Sequence, residues 1–139
     1  MPGKTFIEVN PEEGKNFFQK PGKGEVIMLN LLKFKEIADY SEFPHLQIHQ
    51  DISGERAYEL YMQNTLPFLK KAGSELLFQG KCNAFLIGPQ TEKWDLMLLV
   101  KHASKEAFLK FASNEDYLKI AGHRTAALKD SRLLPIDRI

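Results

Sequence analysis

The chain has 139 residues, 43% of them hydrophobic, and its 19 basic against 18 acidic residues leave a net charge of +1. These figures suit one domain around one core and exclude overall disorder. They give no electrostatic ground for binding nucleic acid or an anionic membrane, and the lone Cys82 excludes an internal disulfide or a thiolate zinc cluster.

The first fifteen residues contain no apolar run of the signal-peptide kind, and no later run is long enough to span a bilayer. A cytoplasmic location is the expectation by elimination. Residues 1–24 read as an N-terminal extension of a single domain, 1–139. Asn10-Pro11-Glu12-Glu13 predicts a capped helix to about Gln19, stopped by Pro21-Gly22-Lys23-Gly24. Val26–Phe34 reads as a strand apolar on both faces, interrupted only by Asn30. The segment 35–52 is polar and aromatic and long for a connection, which predicts a lid or a subunit contact.

Ser53 should cap a helix running through Ala57 and Tyr61 to about Leu69. Pro67 is expected to kink or restart it, and Gly73 to close it with a left-handed cap. Glu75–Gln79 and Ala84–Ile87 read as one strand bent at 80–83. After the turn Gly88-Pro89-Gln90-Thr91 comes a second, Trp94–Val100. Ser104 should cap a helix carrying Ala107, Phe108 and Phe111. Ser113 and Asp116 have capping-box spacing, which starts a further helix through Tyr117 and Ala121 to Leu128. In a short last strand, 132–136, Pro135 demands an edge or a terminus.

The order is β-α-β-β-α-β, the α+β ferredoxin-like arrangement: a four-stranded antiparallel sheet with its helices on one face. The other face of such a sheet should be polar, yet the strands at 26–34 and 94–100 are apolar on both sides. With no helix left to cover it, a second copy is the economical cover; the alternative is that the short, polar N-terminal segment folds over that face. The expectation is a face-to-face homodimer, a dimeric α+β barrel.

On a helical wheel at about 100° per residue, Arg124 falls between Tyr117, Ala121 and Leu128. A guanidinium on a buried face needs a carboxylate or an anionic ligand, so it holds a ligand, snorkels to a rim, or pairs structurally with Asp95 or Asp130. His123, one step aside, is the candidate general acid or base; the bland alternative is a hydrogen-bonded core histidine. Asn30 needs partners inside an apolar strand. Tyr58 and Tyr61, at i and i+3, present two hydroxyls to one side or merely pack at the core edge. Trp94, Asp95, Asp130 and Arg132 complete the candidate ligand-binding set. His45 and His49 are too poorly supported to suggest a metal, and no cofactor is indicated.

Several stretches together resemble a known family: Val26–Phe34, Ser53-Gly54 with Ala57-Tyr58 and Tyr61, Trp94-Asp95, and the run from Asp116-Tyr117 through His123-Arg124 to Leu134. They resemble the domain of unknown function numbered thirteen-thirty, of the dimeric α+β barrel superfamily, from about residue 25 to the end. The segment 37–50 is longer than in that family, and Lys101-His102-Ala103-Ser104 replaces its Arg-Tyr-Pro-Ser. The resemblance implies the fold and a sheet-to-sheet dimer but no reaction. The superfamily includes cofactor-independent monooxygenases, muconolactone isomerases and haem-binding peroxidase-like enzymes. The functional expectation is a small-molecule binder or cofactor-independent enzyme for a small aromatic or anionic substrate held between sheet and helices. His123 would move a proton, Arg124 would hold an oxyanion, and Asn30 and Tyr61 would orient the ligand. The alternative is a non-catalytic dimeric binding or regulatory module. Haem on His123 is disfavoured by the neighbouring Arg124.

Overall fold

The computed structural model describes residues 4–20, 22 and 24–139. In chain order it contains α1 (Pro11–Gln19), β1 (Val26–Phe34), a 3₁₀ turn (Pro44–Leu46), α2 (Gly54–Lys71), β2 (Glu75–Lys81), β3 (Leu96–His102), α3 (Lys105–Ala112), α4 (Glu115–Ile120), α5 (Gly122–Ala127) and β4 (Leu128–Ile136). The strands form one antiparallel sheet in the order β2-β3-β1-β4. That is the ferredoxin-like α+β arrangement.

Local chemistry sets most of these elements. Asn10, Ser53 and Ser104 each accept backbone N–H groups with their side chains at helix starts. Ala72 and Gly73 close α2: the Ser74 N–H donates to Leu69 O at 2.8 Å and the Gly73 N–H to Lys70 O at 3.1 Å, with Gly73 at φ +75°. α2 continues through Pro67 instead of restarting there. The predicted stop at 21–24 lies partly outside the described residues.

Four expectations are corrected. β2 ends at Lys81, and Ala84–Ile87 form no strand; Phe85 is largely exposed and Leu86 and Ile87 fully so. β3 begins at Leu96, after Trp94 and Asp95. Asn114, not Ser113, caps α4, because its Oδ1 accepts from both Asp116 and Tyr117 while the Ser113 hydroxyl turns back to Leu109 O. The helix expected to reach Leu128 breaks at Ala121-Gly122 and ends at Ala127, and β4 starts at Leu128. The reason is competition for carbonyls. Ala126 O accepts from Asp39 N and Ala127 O from Lys35 N, both at 2.8–2.9 Å, so the segment after β1 takes the acceptors that would carry the helix on.

That segment is therefore docked on its own subunit. Ala38 N bonds Ile52 O, Phe43 and Leu46 pack beside Gly122, and His45 Nε2 meets Lys119 O at 3.0 Å.

The sheet has two unlike faces. Val26, Met28, Leu32, Leu98 and Val100 point into a core with Ala57, Tyr58, Tyr61, Leu69, Phe111 and Tyr117. On the opposite face an apolar row crosses all four strands in register, Phe78–Leu99–Leu29–Leu134. The row's ends are exposed, Phe78 at 55% and Leu134 at 56%. Of the described N-terminal residues, Phe18 of α1 stacks on Phe108 of α3, in the helical layer, while Phe6 lies against Arg132, which pairs with Leu31 at the margin of this face.

At the start of α2 the backbone passes very close to its neighbours. A Cβ on Gly54 would overlap Lys35 O and lie 2.6 Å from Ala127 O, both backbone atoms that cannot swing aside. Gly54→Ala should therefore destabilise the fold by about 3 kcal/mol or more, measured as a lower urea midpoint. An unchanged midpoint would mean this junction is looser than described.

Candidate functional site

Two adjoining cavities open between α2 and the β1, β2 and β3 ends facing it. The larger, about 560 Å³, is lined by Phe34, Lys35, Glu36, Ser53, Glu55, Gln79, Gly80, Lys81, Cys82, Asp95 and Leu96. The smaller, about 280 Å³, adds Tyr58, Glu59, Met62 and Gln63, and shares Phe34, Glu55, Gln79 and Leu96 with the first. Together they form one cleft with an aromatic and aliphatic wall and a polar rim.

Of the residues singled out from sequence, Tyr58 and Asp95 line this cleft. Asp95 is structural at the same time: its carboxylate accepts from Phe34 N at 2.8 Å, its own N–H donates to Leu32 O, and its carbonyl accepts from Cys82 N. It thus closes the end of β1 and does not pair with Arg124. Phe34, Met62, Gln79, Cys82 and Leu96 line the cleft and were not singled out; Phe34 and Leu96 carried a signal, as the apolar ends of β1 and β3.

Tyr61 lies behind Tyr58, ring centroids 5.2 Å apart, and its hydroxyl bonds that of Tyr117 at 2.6 Å. Burial raises the Tyr58 and Tyr117 pKa values, and the charges of Tyr61 and Arg124 act in opposite senses on both. Burial wins, so both phenols stay protonated donors at neutral pH.

Arg124 has no carboxylate partner among the described residues. Its guanidinium donates to Ile7 O at 2.9 Å and reaches Ser131 Oγ at 3.5 Å. Ser131 Oγ donates to Phe6 O at 2.6 Å. The expected partner Asp130 is occupied elsewhere. It accepts from Phe6 N, Ser131 N and Arg132, and although burial works against ionisation, these donors hold its pKa below the usual carboxylate value. Arg132 lies over the rings of Phe6 and Trp94, about 5 Å from each centroid. Asp130, Ser131, Arg132, Trp94 and Arg124 thus clasp the Phe6–Ile7 segment to β4.

The expected carboxylate neighbour of His123 is also absent. Its Nδ1 bonds the Tyr40 hydroxyl at 2.7 Å, from the segment after β1. Burial, aided by His45, lowers its pKa and keeps the ring neutral. Among the described residues Asn30 makes only a long contact, Nδ2 to Met28 O at 3.4 Å. His123, Arg124, Asn30, Tyr61, Trp94, Asp130 and Arg132 do not line either cavity.

A crystal structure of a protein of unknown function from Rhodopseudomonas palustris is similar to this chain throughout: 28% identity over 98% of both chains, TM-score 0.87. A dimeric protein of unknown function with a ferredoxin-like fold, from Bacteroides fragilis, matches at 9% identity over 82% of this chain and 96% of that one, TM-score 0.51. A ferredoxin-like protein of the dabb family from Mesorhizobium loti matches at 12% identity over 84% and 99%, TM-score 0.48. No family model and no curated protein matches the chain, so the thirteen-thirty resemblance stands as a resemblance alone. The Bacteroides match shows the fold and nothing further. Among the described residues no helix is long and apolar enough to cross a membrane, and no group of three His, Cys, Asp or Glu is placed to hold a metal ion.

A second histidine has a stronger setting than His123. His102, 2% exposed, packs against Phe108 and Phe111 and bonds Ser74 Oγ through Nδ1 at 2.7 Å. Burial takes its pKa down to about 4. Unfolding exposes an imidazole of ordinary pKa, about 6.5, so below that pH the unfolded state binds the proton first. Stability should fall as pH drops from about 6.5 toward 4 and rise again on return. His102→Asn, which keeps a polar atom near Nδ1 but cannot titrate, should flatten that part of a plot of urea midpoint against pH. An equally steep variant would remove His102 as the cause.

Proposed function

We propose that this chain is a homodimeric small-molecule-binding protein, with one site per subunit in the cleft between α2 and the sheet. The observation that carries this reading is the cleft: two cavities of about 560 and 280 Å³ joined through four shared residues, in the size range of ligand sites. Phe34, Tyr58, Met62 and Leu96 offer an aromatic or aliphatic body its contacts. Gln79, Ser53 and Asp95 supply polar groups at the rim.

The dimer reading rests on the open sheet face. The row Phe78–Leu99–Leu29–Leu134 is flanked by Ile27, Leu31 and Met97, and an exposed apolar surface of this extent marks an interface. A two-fold pairs such a row with itself. The fold neighbour from Bacteroides fragilis, described as dimeric, agrees, as does the resemblance to the thirteen-thirty family.

A binding module without turnover is the second reading, and one observation favours it. Both residues expected to act on substrate are engaged internally, Arg124 by Ile7 and Ser131, His123 by Tyr40. In the catalytic version His123 serves as a neutral base through Nε2, which has no partner among the described residues, and a ligand must extend beyond the cleft to meet it.

Thermal-shift screening with small aromatic compounds tests the cleft. A ligand at 100 times its Kd should raise stability by about 2.7 kcal/mol, and Met62→Trp, which fills the smaller cavity, should abolish the shift. A shift that survives this substitution places the ligand outside the smaller cavity. Light scattering tests the dimer: the wild type should have twice the chain mass, and Leu99→Lys should give a monomer or an aggregate. A monomeric wild type at micromolar concentration overturns it.

A further inference from the structure

Residues 4–9 form no helix or strand, and among the described residues no backbone-to-backbone hydrogen bond ties them to the rest of the chain. Side chains hold them instead, and they do so by reading the main chain. The Phe6 N–H donates to Asp130 Oδ1 at 2.9 Å, the Phe6 carbonyl accepts from the Ser131 hydroxyl at 2.6 Å, and the Ile7 carbonyl accepts from the Arg124 guanidinium at 2.9 Å. Two side chains add a sequence preference: the Phe6 ring lies against the Arg132 guanidinium, 5.0 Å from its centroid, and Ile7 packs on the margin of the core. Main-chain hydrogen bonds for affinity, with side-chain contacts for specificity, are the way proteins recognise an extended peptide.

The receiving side of this contact is held together without the segment. Arg132 donates to Asp130 Oδ1 at 2.8 Å and to Ser131 O at 2.7 Å, Asp130 Oδ1 also accepts from Ser131 N, and the Arg132 guanidinium lies over the Trp94 ring. A set arranged beforehand loses little freedom when a guest arrives. Arg124 has the converse need. Without Ile7 O its one partner among the described residues is Ser131 Oγ, at 3.5 Å, and a half-buried guanidinium short of acceptors is costly. The segment itself is shallowly seated, with Phe6 52% and Val9 61% exposed. We propose that Asp130, Ser131, Arg124 and Arg132 form a binding site for an extended peptide segment of another protein, one carrying an aromatic residue followed by an aliphatic one, and that Phe6 and Ile7 occupy it as a tethered stand-in. The site is separate from the cleft, since none of the four lines either cavity. A tethered occupant competes at an effective concentration of about 1 mM, so a free segment of equal quality binds the resting chain weakly.

The experiment uses the full chain and a dye-labelled peptide of residues 4–9, Lys-Thr-Phe-Ile-Glu-Val with both ends blocked, followed by fluorescence anisotropy. Phe6→Ser weakens the tethered occupant at a half-exposed ring. The variant should bind the peptide about 10-fold tighter than the wild type, or better, because its own competitor has weakened. N-methylation of the peptide's phenylalanine deletes the N–H that Asp130 reads and should weaken binding about 10-fold or more, the range of a hydrogen bond to a charged group. N-methylation of its glutamate, whose N–H has no partner among the described residues, should leave binding unchanged. Serine in place of the peptide's phenylalanine should cost about 3-fold or more through the lost contact with Arg132. These last changes are made in the peptide, so unfolding of the protein cannot produce them. Equal binding by wild type and variant, indifference to N-methylation of the phenylalanine, or no binding to the folded variant overturns the proposal. So does a Phe6→Ser chain that fails to fold, because the segment is then part of the fold and not a stand-in.

Discussion

Lys35 donates its N–H to Ala127 O and accepts the N–H of Gly54 on its own carbonyl. One residue at the exit of β1 thereby joins the first turn of α2 to the junction of α5 and β4. The approach is so close that only glycine fits at the start of α2. The start of α2 and the end of α5 take their positions from this knot. It anchors α2 at the β1–β4 side, beside α5, and leaves the side toward β2 uncovered. The cleft is the gap that results, and Tyr58, one turn into α2, is carried to its wall.

The two arginines beside β4 are handled differently. Arg132 is matched by Asp130 and sandwiched by Phe6 and Trp94, so its charge is spent locally. Arg124, one turn before the end of α5, meets only neutral oxygens, Ile7 O and Ser131 Oγ. Neutral acceptors satisfy N–H groups without cancelling charge. A half-buried guanidinium held this way keeps a positive potential in the tyrosine cluster, whereas pairing with Asp130 would have quenched it.

Much of the fold was legible in the sequence because its determinants are local. β1 has the bounds its apolar run suggests, 26–34. Asn10, Ser53 and Ser104 cap the helices they precede, and Gly73 closes α2, since each involves atoms within a few residues. Apart from the cap of α4, the misreadings are nonlocal. Leu128 continues a helical period but becomes strand because Lys35 and Asp39, ninety residues upstream, take the carbonyls a helix would need. Phe85, Leu86 and Ile87 have the apolarity of a strand and no partner to pair with. For the site, Tyr58 and Asp95 were visible as polar groups at the ends of apolar elements. The contact of His123 with Tyr40 was not, because nothing near either residue signals it, and charge complementarity pointed to Asp95 and Asp130 instead.

The two faces of the sheet divide the work physically. Leu98 and Leu99 are neighbours in β3, yet one lies in the core and the other in the open apolar row, because successive strand residues face opposite ways. In the proposed dimer, a charge introduced at Leu99 would act on association and hardly on packing above the sheet, whereas one introduced at Leu98 would fall in the core. The proposed association and ligand binding would thus be separable on this scaffold. They meet at β2, whose Phe78 belongs to the open row while Gln79 and Gly80 line the cleft. β2 is an edge strand bonded only to β3, with a register shift between Leu76 and Phe78 that breaks the regular ladder. A partner seated on Phe78 would restrain the strand that forms one wall of the cleft. β3 joins the two surfaces as well, with Leu99 in the open row and Leu96 at the cleft, so any coupling between a dimer and a ligand has its path through these two strands.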